Sequence, residues 1–150
     1  MLDVQTGEDF ERLVLVISRV DLRLQGEQAT RTNFFDSVEE VKKKQGLFNH
    51  WNPKRPKTKL SMNLFQNVRF VLGEKRSKNL RLFVSVGTRL DFRFGTDCFF
   101  EIDGFVASID LTISEKKHFF KANVLVRPVD IVSRQVWIAR RIASFLERNS

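Results

Sequence analysis

The chain has one cysteine, Cys98, and two histidines, His50 and His118, among 150 residues. A lone cysteine excludes an internal disulfide and any cysteine-based zinc cluster, and it suits a reducing cytoplasm. Two histidines leave little material for a multi-histidine metal site or a Ser-His-Asp triad. Long apolar runs are missing too. The longest are short, such as residues 13–17, against the roughly 20 needed to cross a bilayer. Met1-Leu2-Asp3-Val4 has no basic stretch leading into an apolar one, so no secretory signal is expected. No glycine-rich phosphate fingerprint stands in the sequence, which leaves a cofactor-dependent oxidoreductase without support. The expectation is a soluble, cytoplasmic protein with no membrane partner.

What is present is apolar bulk and an uneven charge. Hydrophobic residues make up 42% of the chain, and the length fits one domain over residues 1–150. Fifteen phenylalanines with no tyrosine suit a dense core and could also supply a homodimer interface. The net charge is +8, which suggests a polyanionic partner. Its distribution says more. Lys42, Lys43, Lys44, Lys54, Arg55, Lys57, Lys59, Arg69, Lys75, Arg76, Lys78 and Arg81 face one acid in that interval, Glu74. The segment carries +11, so the rest of the chain is net acidic. Trp51 and Phe48 are interleaved with it, placed either to stack on bases or to pin their loop to the core. Residues 52–59, with two prolines and no hydrophobe, read as an exposed, partly extended loop.

Periodicity sketches the elements. Phe10, Leu13, Val14, Ile17 and Val20 predict a helix over about residues 8–19, with Thr6 or Gly7 as its cap. Residues 20–24 alternate like a strand, and 25–33 read as a loop. Short helices are expected at 34–44, ended by Gly46, and at 60–72, ended by Gly73. Strands follow at 80–86, 98–102, 105–113 and 118–127, and an amphipathic helix at 129–148 closes the chain.

Asp103-Gly104 is a strong hairpin signal. In a two-residue hairpin Ile102 faces Phe105, and counting outward brings Asp97 opposite Asp110. Alternation puts Cys98, Phe100, Ile102, Phe105, Ala107, Ile109 and Leu111 on one apolar face. Asp97, Glu101, Ser108, Asp110 and Thr112 fall on the other, with Phe99 and Val106. Like charges directly opposed destabilise a sheet unless something compensates. A lysine such as Lys121 could do so, or a divalent cation.

Gly95-Thr96-Asp97, the hairpin, then Ile109-Asp110-Leu111-Thr112 followed by lysines, resembles the core of the restriction-endonuclease-like PD-(D/E)xK nuclease superfamily. The resemblance implies an α/β fold (mixed α+β): a central mixed sheet of about four to five strands, an N-terminal helix and a closing C-terminal helix. A basic loop and helical insertion would occupy about residues 42–79. It implies a nuclease that uses Mg2+ or Mn2+, held by Asp97, Asp110 and Glu11, with Glu8 as the substitute helical acid. Thr112 stands where the family has its lysine, and no proline precedes Asp97. Lys121 is the first choice to supply the missing amine, then Lys116 or Lys117. DNA is the expected substrate in preference to RNA. The contacts would come from Lys42, Lys43, Lys44, Trp51, Lys54, Arg55, Lys57, Lys59, Lys75, Arg76 and Lys78. Two other readings need fewer parts. A non-catalytic nucleic-acid-binding protein needs the basic segment but not the acids. A protein-interaction or assembly protein would use that segment on an acidic partner.

Overall fold

The computed structural model describes residues 5–15, 33–48 and 51–147, with the backbone alone at 46–48. The elements begin with α1 (Gly7–Leu15), α2 (Phe34–Phe48) and α3 (Lys59–Leu72). A 3-10 turn (Arg76–Asn79), β1 (Arg81–Val84) and α4 (Arg89–Phe94) follow. Then come β2 (Cys98–Ile102), β3 (Phe105–Leu111), β4 (Val124–Val126), α5 (Pro128–Val132) and α6 (Gln135–Leu146). The extension of the first helix to residue 19, the strand-like 20–24, most of the 25–33 loop, His50 and the Phe48 side chain lie outside the described residues.

The class is mixed α and β, with four strands in the order β1-β2-β3-β4. β1–β2 and β2–β3 are antiparallel, while β4 runs parallel to β3. The hairpin turns on Asp103 and Gly104, with φ of 50° and 91°. Two consecutive positive φ values match the right-handed twist of the flanking strands. Pairing from Ile102–Phe105 to Cys98–Ile109 has the register expected from the sequence. β4 is only three residues long, not the ten expected, because a parallel partner needs a crossover first. The chain between β3 and β4 supplies it.

Cys98, Phe100, Ile102, Ala107, Ile109 and Leu111 join buried residues of α1, α3 and α6 in the main core, as the alternation predicted; Phe105, expected with them, is only half-buried, under the Arg76 guanidinium. The opposite face was read as the polar one, with Phe99 and Val106 on it. It is covered: Val38 and Val41 of α2 and Leu90 of α4 pack on Phe83 and Phe99. Those two rings stack at 5.2 Å, and their apolar area on this face demands a layer above it. Glu101, Ser108 and Asp110, assigned to that polar face, are buried.

The basic loop also has a structural task. β1 is an edge strand, with backbone groups that need partners. Leu82 N–H donates to the Pro53 carbonyl at 2.8 Å, and Trp51 Nε1–H donates to the Leu82 carbonyl at 2.9 Å. The Gln45 side-chain amide accepts from Val84 N–H and donates to Val84 O. α2 accordingly runs past Gly46 instead of stopping there. Thr58 caps α3 through Ser61 N–H at 2.9 Å, and its hydroxyl donates to the Val14 carbonyl, tying α1 to α3. The closing helix is broken in two. Arg134 leaves helical geometry at φ −127° and ψ 36°, and Asp130 caps α5 by accepting from Arg127 N–H at 2.8 Å.

Candidate functional site

Three carboxylates from three elements lie near enough to act on a fourth, Asp97, where β2 begins. Asp97 precedes β2, Asp110 lies in β3, Glu11 comes from α1 and Asp91 from α4. Burial pushes the Asp97 carboxyl well above the usual carboxylate range, and the nearby charges of Asp91, Glu11 and Asp110 push it the same way. The Leu111 N–H, donating to Asp97 Oδ2 at 2.7 Å, works against that rise. Burial also raises the Cys98 thiol, followed by the fields of Asp97, Asp110 and Glu11. The three acids chosen from the sequence thus act on the same neighbour. The raised thiol is a core group and not a nucleophile.

Asp97 is not level with Asp110 in the ladder. Ser85 N–H donates to Asp97 O at 2.8 Å, continuing the register with β1. The Asp97 N–H goes to the Ile109 carbonyl at 2.8 Å, while Ile109 already pairs with Cys98. That is an offset of one residue, as in a β-bulge, a device that re-aims a side chain. It carries the Asp97 carboxylate past Asp110 to Leu111. Simple counting from the turn places the two strands correctly but misses this last step.

The lysine beside the acids is Lys117, whose Nζ stands 2.6 Å from Asp110 Oδ2. Lys121, the first choice from the sequence, donates to the Arg93 carbonyl at 2.9 Å instead. Its place in the crossover segment, not on a strand, swings it to the end of α4. Lys116 is exposed. Glu8 pairs with Arg12 in solvent at 3.1 Å, one helical turn away, so Glu11 is the α1 acid at the site. Asp91 was missed. Its signal was Thr88-x-x-Asp91, a helix-start pattern. Thr88 does stand at the N-cap of α4, and Asp91 accepts from Gly87 N–H at 2.9 Å. Among the described residues no group of three or more His, Cys, Asp or Glu side chains is disposed to hold a metal ion.

The basic segment divides in two. Lys43, Lys54, Arg55, Lys57, Lys59, Lys75 and Lys78 are exposed, and the docked backbone of residues 51–58 presents Lys54, Arg55 and Lys57 on a fixed frame. Arg69 is exposed as well, and the remaining four have structural partners. Lys42 and Arg81 both pair with buried Glu101, Lys44 with Glu40 at 3.7 Å, and Arg76 donates to the Leu146 carbonyl at 2.6 Å. Trp51 is 3% exposed, so it pins the loop and has no face to offer a base. Lys42 and Arg81 flank Glu101, four residues along β2 from Asp97, a distance of about 13 Å at 3.3 Å per residue.

No protein-family model, curated protein or solved structure matches this chain. No helix among the described residues is long and apolar enough to cross a membrane.

Proposed function

We propose that this protein is a metal-dependent nuclease, acting on DNA in the cytoplasm, with a restriction-endonuclease-like PD-(D/E)xK core. The observation that carries the reading is the buried convergence of Asp97, Asp110 and Glu11, with Lys117 against Asp110. Burying mutually repelling carboxylates costs stability, and a cost of that kind concentrates at functional sites. The donor chemistry fits Mg2+ or Mn2+, which prefer carboxylate oxygen. Asp97, Asp110 and Glu11 do not stand as a ready-made ligand set; their carboxylates would have to close on the ion to hold it, and the ion would supply Lewis-acid stabilisation of charge developing on the phosphate. Lys117 would then turn from Asp110 toward the phosphate and offset the same charge. The exposed lysines would hold the flanking phosphates.

The test is cleavage of supercoiled plasmid and labelled single-stranded and branched DNA with Mg2+, Mn2+ or EDTA. Cleavage with either metal and none in EDTA is the expected result. Cleavage unaffected by EDTA would overturn the metal role.

One observation favours a second reading. Lys117 already neutralises Asp110 at 2.6 Å, as it would in a nucleic-acid-binding protein that has no use for a metal. On that reading every substrate is bound and none is cut in any metal.

Both readings share a prediction about salt. Replacing Lys54 and Lys57 with alanine should weaken DNA binding uniformly across sequences. It should also reduce the slope of log affinity against log salt by roughly 1 for each phosphate left without its lysine. Anisotropy titrations across a salt series measure this, and an unchanged slope would remove the loop from the interface.

A further inference from the structure

Two chain segments that carry exposed aromatic rings meet beside the acids. One is α4, where Phe92 is 56% exposed. The other is the crossover between β3 and β4, where Phe119 is 94% and Phe120 39% exposed. Lys121, next to Phe120, joins the two segments through the Arg93 carbonyl at 2.9 Å. Each segment also borders the acid cluster. Lys117 holds the crossover to Asp110 at 2.6 Å, and Asp91 of α4 lies close enough to Asp97 to raise its carboxyl. Arg127 braces the crossover from beneath, donating from Nε to the Ser114 carbonyl and from Nη2 to the Lys117 carbonyl, both at 3.0 Å. The loop is therefore held at Ser114, Lys117 and Lys121, and it carries His118, Phe119 and Phe120 outward between the last two.

A phenylalanine ring fixed in water gains nothing for the fold, since burial is what makes it stabilising. Its neighbours Lys116, His118 and Lys121 are exposed as well. Aromatic rings interleaved with cations make a stacking platform for unpaired bases, the cations following the phosphates. Paired bases inside a duplex offer no free face to such rings. We infer that the Phe119–Phe120 loop binds unpaired bases next to the acid cluster, so that the preferred substrate is single-stranded DNA or a single-stranded region flanking a duplex. The choice of DNA and of a scissile phosphate nearby rests on the nuclease reading; the platform itself does not.

The experiment measures binding in EDTA, where no metal-dependent cutting occurs. A labelled 20-residue oligodeoxynucleotide, single-stranded or annealed to its complement, is titrated with the full chain and with Phe119→Ala and Phe119→Leu. Both variants should weaken single-strand binding roughly tenfold, the loss of about one stacked base, and leave duplex binding within about twofold. Phe119→Leu keeps apolar bulk and removes only the ring. Circular dichroism and thermal melting confirm that both variants fold, which the exposure of Phe119 favours. Equal affinity of variants and wild type for the single strand would overturn the platform. So would equal losses on single strand and duplex, or rescue by leucine. Selective loss in EDTA, together with no cleavage in Mg2+ or Mn2+, would keep the platform and reject the nuclease.

Discussion

Replacing Asp97 with asparagine is expected to abolish metal-dependent cleavage and to raise the melting temperature at pH 8. The loss of activity should be roughly 10³-fold or more, the scale of several kcal/mol of charge stabilisation at about 1.4 kcal/mol per tenfold. The gain in stability follows from the direction of the Asp97 shift. Burial first, then Asp91, Glu11 and Asp110, hold this carboxyl well above its ordinary value. A carboxyl raised by folding favours the protonated native state. Its contribution to stability is complete below the unfolded pKa of about 3.9 and is lost as pH climbs through the raised native value. Above that, the wild type buries a repelled charge. Asparagine keeps an oxygen to accept from Leu111 N–H, which donates to Asp97 Oδ2 in the wild type, and it cannot ionise.

Melting curves of the two proteins in EDTA should run together near pH 4 and separate as pH rises. The variant should lead by about 2–4 °C at pH 8, the shift that 1 kcal/mol makes in a domain of this size. A variant less stable than wild type at pH 8 would show that the Asp97 charge is a structural partner, and the functional reading of the cluster would fall. Excess Mg2+ should reverse the order, because only the wild type keeps the full carboxylate set, and a ligand at 100 times its Kd adds about 2.7 kcal/mol to the native state.

The second large effect belongs to Trp51, and it is on stability alone. Trp51→Ala removes a ring buried in the main core and the donor to the Leu82 carbonyl on the edge strand. Large aromatic truncations cost about 3–5 kcal/mol, so the melting temperature should fall by roughly 10 °C. Measured well below that transition, affinity for single-stranded or duplex DNA should remain near wild type, because the indole is not at the surface. A variant that melts normally and loses affinity would return Trp51 to the base-stacking role that its place among cations first suggested.

The contrast between Trp51 and Phe119 shows where reading from sequence stops. Trp51 sits in a segment of extreme charge and draws attention as a binding residue. Phe119 falls in a stretch that reads as a strand, 118–127, and draws none. Composition cannot tell a ring that pins a loop from one that a loop presents, because the difference is which backbone the loop docks on. The same holds for the lysines. Lys121 and Lys117 are four residues apart in one crossover segment, and only the path of that segment decides which reaches Asp110.

Local order was legible where neighbours in sequence are neighbours in space. The Asp103-Gly104 turn determined the register of β2 against β3 as far as Cys98–Ile109. Alternation determined which face of the hairpin enters the main core. Gly73 marked the end of α3, while its N-cap, Thr58, lay in what read as loop. What was legible follows from turn geometry, from the period of two in a strand and from unpaired carbonyls at a helix end. Tertiary structure decided the rest. The second sheet face is closed because α2 lies across it, and Glu101 is buried between Lys42 and Arg81 for the same reason. The edge of β1 is paired by a loop nearly thirty residues away, and Asp91 stands beside Asp97 because α4 folds back over the strand that follows it. Burial and charge proximity depend on distance in space, and no spacing along the chain encodes that distance once the chain has turned.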